Sequence, residues 1–176
     1  MGSIDIFIQN YISTVREDSL TQFLYLLTIL FDYSFHFVLI AFCIAVLIYL
    51  VRNIKYSILF IFSLGFGAAI VYILKIIFDV SRPIDGVMHV LGKSFPSGHA
   101  TVSTIFFVML IYIFDDYFTS FRRHLFNFAC LLMIFLVAIS RVYLGVHWVS
   151  DVLAGILLGC AVSFVSVYIS RFSCFK

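Results

Sequence analysis

Five long apolar runs dominate this chain and leave it one solvent to fold in. They cover residues 33–51, 56–78, 97–114, 124–143 and 148–170. Each reaches or approaches the roughly 20 apolar residues that carry a helix across the hydrocarbon of a bilayer. Of the 176 residues only 11% are charged and 64% are hydrophobic, whereas an ordinary soluble domain is about 25% charged. Too little polar surface remains to cover a soluble globule, so the expected solvent is lipid. The breaks at residues 52–55, 79–95, 115–123 and 145–147 are polar and mostly short, which suits antiparallel neighbours. The expected fold is an all-α integral membrane protein, a single domain over residues 1–176. It is an antiparallel bundle of five transmembrane helices with a short or interfacial N-terminal helical segment.

The first thirty residues are read less directly. Residues 4–12 are apolar with polar interruptions, a pattern that suits the membrane interface. Residues 20–31 are apolar over only two-thirds of a span, which leaves a short tilted helix and a partly inserted one both open. There is no basic n-region, and Arg16, Glu17 and Asp18 interrupt the segment early, so a cleavable signal peptide is not expected. Nothing marks a linker, a low-complexity tract or an internal repeat.

The net charge of +2 is small and its basic residues are scattered, so no stripe for nucleic acid exists. Cys43, Cys130, Cys160 and Cys174 show neither paired nor metal-type spacing. The first three fall in apolar runs, where a free thiol packs as a small hydrophobe. Alternating the five spans puts Arg52, Lys55, Arg122, Arg123, Arg171 and Lys176 on one side, and Lys75, Arg82, Lys93 and Arg141 on the other. The positive-inside rule makes the first side cytoplasmic, with the C-terminus, and turns the second outward.

The outward group is where chemistry gathers, since charge beside a membrane span is expensive and is a functional candidate by default. Lys75 and Arg82 are seven residues apart, close to two helical turns, so both can face one way. Asp79 lies one turn from Lys75 and can pair with it, and Pro83 marks the helix end. Interfacial snorkelling explains either cation alone. Pro96-Ser97-Gly98-His99 opens the third span, with Ser97 a plausible N-cap and Gly98 letting backbone N–H groups approach a ligand. Helix N-termini bind anions, and His99 adds a group able to pass a proton near neutral pH. Taken alone, that stretch is equally well a plain helix start. Finally, Ser140-Arg141 precedes His147, and Asp151 follows it at i+4. A carboxylate beside an imidazole fixes its tautomer and leaves the other ring nitrogen as a lone pair, and a guanidinium can fork onto phosphate oxygens. The bland counterpart is a buried structural His–Asp pair.

Lys75-x6-Arg82-Pro83, Pro96-Ser97-Gly98-His99 and Ser140-Arg141-x5-His147-x3-Asp151 together resemble the three-part signature of the type 2 phosphatidic acid phosphatase family. Every fixed position matches, in order, with each part at a span boundary. The resemblance runs by motif from Lys75 to Asp151 and by helical layout from about residue 19. Many similar proteins have a further amino-terminal span before this layout, for which these residues offer no counterpart. The resemblance implies that His147 attacks phosphorus to give a phosphohistidine, with Asp151 orienting it. His99 protonates the leaving oxygen and then assists a water. Lys75, Arg82, Ser97, Gly98 and Arg141 hold the nonbridging oxygens. No metal or other cofactor is expected, because the neighbouring cations would repel a zinc ion, which His99, His147 and Asp151 alone would suggest.

The implied substrate is a lipid phosphomonoester or diphosphate in the membrane, first undecaprenyl diphosphate, then phosphatidylglycerophosphate, phosphatidic acid or lipid A. The implied location is a bacterial inner (plasma) membrane with the site on its external face. No nucleic-acid or protein partner is expected. Two other functions fit parts of the pattern, a lipid-to-lipid phosphotransferase and a non-catalytic lipid-binding or transport protein; the latter has no use for an oriented histidine plus a separate acid. Vanadium haloperoxidases share a similar signature but are soluble. His36, His89, Lys93 and His124 read as residues outside the site, Trp148 as an interfacial anchor, and Gly65, Gly67, Ala68, Ala69, Ala154, Gly155 and Gly159 as small faces for helix packing.

Overall fold

The computed structural model describes residues 2–31, 35–88 and 90–172. The expectations for His89, Cys174 and Lys176 concern residues outside these ranges. Among the described residues there are seven helices and no strand. They are α1 (Ser3–Thr14), α2 (Asp18–Ile29), α3 (Phe35–Val51), α4 (Ile54–Phe78), α5 (Gly98–Phe114), α6 (Ser120–Tyr143) and α7 (Val149–Phe172). The last five coincide with the five apolar runs. Three stretches are long and apolar enough to cross a bilayer, Ile54–Phe78, Ser120–Tyr143 and Val149–Arg171, while His36–Val51 and Gly98–Phe114 are shorter apolar helices.

Polar residues set the ends of these helices. Asn53 accepts a hydrogen bond from the Tyr56 N–H at 3.1 Å to start α4. Asp79 ends it in the left-handed conformation, with φ 50°. α6 stops at Gly145, whose φ of 68° lets its N–H reach the Val142 carbonyl at 3.0 Å. A side chain there would also strike Arg16 and the Gly86 backbone, at 2.5 and 3.0 Å from its Cβ, so the turn requires glycine on both counts.

α5 is the axis of the fold. Fourteen of its seventeen residues are buried, and α4, α6 and α7 pack around it. Aromatic rings fill the space between α5 and its neighbours: Phe60 meets Phe106 edge-on at 5.3 Å, and Phe31 meets Phe107 at 5.6 Å. The α5–α7 seam is closer, because α7 presents glycine. A Cβ on Gly155 would stand 2.7 Å from the Ser97 carbonyl oxygen, and one on Gly159 would stand 2.6 Å from the Thr104 Cβ. The small face expected on α7 is therefore a packing surface. On α4 only part of the expected face packs: a Cβ on Gly67 would meet Ile105, but Gly65 has nothing within 4 Å and Ala69 is exposed. The outward faces carry bare apolar side chains such as Leu50, Phe121, Leu157 and Phe164, far more than water would tolerate.

α1 is patterned inside out. Asp5 and Gln9 are buried against α6 and α7, while Ile4, Phe7 and Tyr11 point outward. That arrangement suits a helix lying in the interface with its apolar face in lipid.

Gly159→Val is expected to destabilise the protein by about 1–3 kcal/mol, since α5 must move to admit it. Gly65→Ala, which meets open space, is expected to leave stability unchanged. Thermal unfolding of both variants in detergent measures the contrast.

Candidate active site

All three signature segments meet at one end of the helices. Lys75 lies in the last turn of α4, Arg82 and Ser94 in the connection to α5, Gly98 and His99 in the first turn of α5, and Arg141 in the last turn of α6. His147 precedes α7 and Asp151 lies in its first turn. His99, Arg141, His147 and Asp151 are all buried. Lys75, Arg82, Gly98, His99, Arg141 and His147 line a cavity of about 500 Å³, whose other wall is apolar (Ala68, Val71, Tyr72, Val90 and Leu91).

The cations are held by backbone carbonyls. Lys75 Nζ donates to the carbonyls of Lys93 at 2.5 Å and Ser94 at 3.2 Å. Arg82 donates to those of Gly92 at 3.0 Å, Val146 at 2.7 Å and Lys93 at 3.2 Å. Arg141 Nη1 donates to the Thr28 hydroxyl of α2 at 2.5 Å. The carbonyls fix Lys75 and Arg82 without neutralising them.

The tautomer of His147 follows from its neighbours. Arg82 Nη1 stands 3.1 Å from Nε2, and a guanidinium can only donate, so Nε2 carries the lone pair and Nδ1 the proton. Nδ1 lies 3.2 Å from the Ser94 hydroxyl and 3.5 Å from Asp151 Oδ2. The Ser94 hydroxyl in turn donates to that same carboxylate oxygen. A chain therefore runs from His147 through Ser94 to Asp151. Asp151 also accepts the Trp148 N–H at 2.9 Å, reaching back to the residue before its helix as in a capping box. Burial, then the charges of Arg82, Arg141 and Lys75, hold the His147 imidazole well below its ordinary pKa. It is neutral at pH 7.

Residues outside the signature brace this end. Asp5 of α1 accepts from the Ser150 N–H at 3.0 Å and its hydroxyl at 2.8 Å, so a second helix satisfies a free donor in the first turn of α7. Ser97 N–H donates to the Asp151 carbonyl at 3.0 Å, tying the start of α5 to α7. Arg16 donates to the carbonyls of Tyr143 at 3.0 Å and Asp85 at 2.7 Å.

Several expectations are corrected. α4 ends at Phe78, so Lys75 and Arg82 share no helix face; the Asp79 turn and the loop bring them together. Asp79 pairs with Lys93 instead of Lys75. His147 lies two residues before α7 rather than on it. Trp148 is no surface anchor: it is buried, and its indole N–H donates to the Ser81 carbonyl at 2.8 Å. Ser97 is the expected N-cap, accepting from the Ala100 N–H at 3.5 Å, and stands behind Gly98, outside the cavity lining. Ser94, Thr28 and Asp5 were not foreseen. Asp5 and Thr28 left one trace, as polar residues inside apolar stretches; Ser94 left none. Among the described residues no group of three or more His, Cys, Asp and Glu side chains could hold a metal ion.

Fold and site together define a helical integral membrane protein with a cationic, histidine-bearing cavity at one end. The chain belongs to the PAP2 superfamily, whose sequence profile matches residues 56–173. It is similar to the phosphatidylglycerophosphatase B of Bacillus subtilis, 35% identical over 82 residues, which are 45% of this chain and 40% of that protein. It is also similar to the undecaprenyl-diphosphatase of Sulfolobus acidocaldarius, 65% identical over 34 residues, which are 19% of this chain and 16% of that protein. The matches thus span well under half of these relatives. In three dimensions it resembles the crystal structure of a transmembrane PAP2-type phosphatidylglycerolphosphate phosphatase from Bacillus subtilis. That superposition has a TM-score of 0.88 at 26% identity and covers 99% of this chain and 88% of the other.

The His147 ring is expected to stay neutral as pH falls through the ordinary histidine range and to take a proton only well below 6.5. ¹⁵N NMR of labelled histidine in detergent reads this directly; titration at or above 6.5 would contradict the charge environment described.

Proposed function

We propose that this protein is a metal-independent membrane phosphatase that hydrolyses a lipid phosphomonoester or diphosphate through a phosphohistidine. The observation that carries the reading is the His147 Nε2 lone pair, held by a neutral ring in a cavity lined by Lys75, Arg82 and Arg141.

In the proposed reaction the phosphate displaces the carbonyl partners of Lys75 and Arg82 and draws the Arg82 guanidinium off Nε2. Nε2 attacks phosphorus, the bond to the leaving oxygen breaks, and His99 gives that oxygen its proton. The incoming negative charge offsets the three cations and so favours protonation of His99 beforehand. As Nε2 becomes bonded, positive charge develops on the ring, and the Nδ1 proton shifts its weight toward Ser94 and Asp151. His99, now neutral, takes a proton from a water that attacks the phosphohistidine, and inorganic phosphate leaves. The three cations, with the Gly98 N–H at the start of α5, stabilise the charge on the equatorial oxygens. Ser97 contributes by shaping that helix start.

The substrate is a lipid because the cavity is half apolar and α4 beside it shows Ile73, Ile76 and Ile77 to the membrane. The phosphate enters among the cations while the tail stays in hydrocarbon. The helices α3–α7 are proposed to form the five-span antiparallel bundle. Arg52, Lys55, Arg122, Arg123 and Arg171 then lie in the cytoplasm and the site faces outward. Undecaprenyl diphosphate is the first substrate to test and phosphatidylglycerophosphate the second, since similar proteins carry those names; phosphatidic acid and lipid A follow.

Phosphate release by the purified protein in detergent with EDTA tests this. Release from at least one of these lipids is expected, unchanged by the chelator, and His147→Ala should lower it to background. Activity that needs added metal, or that survives in His147→Ala, would overturn the mechanism. Asp151→Asn is expected to slow turnover by about 100-fold or more, since it disturbs the tautomer rather than the phosphate site.

A further inference from the structure

A second cavity of about 450 Å³ lies at the other end of α4, between α4 and α7. Lys55 at its rim and Lys75 at the catalytic site are twenty residues apart on one helix, about 30 Å, so the two cavities are separate. Its wall is apolar, with Leu59, Phe62 and Ile169, and its lining also carries Lys55 and Arg171. Arg171 is steadied over the Tyr112 ring, 5.8 Å from its centroid. Ser166, also in the lining, is 2% exposed, and its hydroxyl has no hydrogen-bond partner among the described residues. A buried hydroxyl without a partner costs stability, so it points to a ligand with an acceptor at that depth.

We propose that this groove holds a phospholipid with an anionic head group. Its phosphate sits between Lys55 and Arg171, its ester oxygens reach Ser166, and an acyl chain lies along Leu59 and Phe62. The proposal is independent of catalysis. The test uses the full chain in phosphatidylcholine nanodiscs doped with either phosphatidylglycerol or phosphatidylcholine carrying an acyl-chain diazirine. After photolysis, peptide mass spectrometry maps the adducts. Phosphatidylglycerol is expected to label residues 55–62 and 166–171 at least several-fold more than phosphatidylcholine, and Lys55→Ala/Arg171→Ala to abolish the preference. Equal labelling by the two lipids, or a preference that survives in the double variant, would overturn the proposal.

At the catalytic end a separate observation carries a second inference, which rests on the phosphatase reading. Ser94 is fully buried and stands between the Nδ1 of His147 and Asp151. From this we infer that Ser94 is a positioning residue: its hydroxyl accepts the Nδ1 proton bond and passes the orienting effect to the carboxylate. Removing the partner that orients an imidazole costs about 10–100-fold in metal sites, and Ser94→Ala is expected to lower kcat to a similar extent with KM little changed. Arg82 keeps the Nδ1–H tautomer in every variant, so the readout is the hydrogen bond on that proton: its ¹H shift should move upfield in Ser94→Ala and return in Ser94→Thr, which retains the hydroxyl. An unchanged kcat and Nδ1 proton shift in Ser94→Ala would overturn the role of Ser94 alone. Wild-type protein that releases no phosphate would overturn the phosphatase reading, while the Nδ1 proton shift still decides whether Ser94 holds the ring.

Discussion

Cations cannot be left bare at the edge of a hydrocarbon layer, and the way this protein satisfies them organises the end where its signature residues meet. A carboxylate partner would neutralise each charge; a carbonyl solvates it and leaves it positive. Lys75 and Arg82 take the second option with the carbonyls of residues 92–94 and Val146. The loop between α4 and α5 therefore winds around the two cations, and its path is set by where their donors point. The nearby carboxylates are otherwise engaged: Asp79 on Lys93, and Asp151 on Ser94 and the Trp148 N–H. The positive charge that remains is the property the proposed reaction uses.

The amino-terminal helices complete the same end from outside. α1 buries its polar residues and shows its apolar ones. Asp5 and Arg16 deliver their charges to backbone groups beside the site, and Thr28 of α2 meets Arg141. A segment that is a poor span by hydropathy is thus a brace for α6 and α7 in the fold.

Much of this was legible in the sequence because lipid simplifies the reading. The five apolar runs are five helices, three of them long and apolar enough to cross a bilayer. The signature residues could be singled out because charge is rare here. What the sequence hid is tertiary. Nothing in the spacing of Lys75 and Arg82 reveals that the helix stops at Phe78, since the left-handed turn at Asp79 uses a residue other than glycine. Ser94 looks like any loop serine until the fold carries it between two residues more than fifty positions away. Trp148 misled because its side chain suits an interface, yet the Ser81 carbonyl offers its N–H a partner in the interior.

The contact between Arg82 and Nε2 of His147 has a bearing on selectivity. The bilayer around this site is built of phosphodiesters, each with one negative charge and present in vast excess over any monoester. If His147 is the nucleophile proposed above, a lone pair open to all of them would be occupied almost continuously by lipids it cannot usefully cleave. Here the lone pair is covered by a guanidinium that also holds the Gly92, Lys93 and Val146 carbonyls, and a single charge pulls on it weakly. A terminal phosphate with two charges and three free oxygens pulls harder and can replace more of those bonds. For the proposed phosphatase, discrimination between membrane and substrate would then rest on charge density at one oxygen cluster, before any feature of the lipid tail is read.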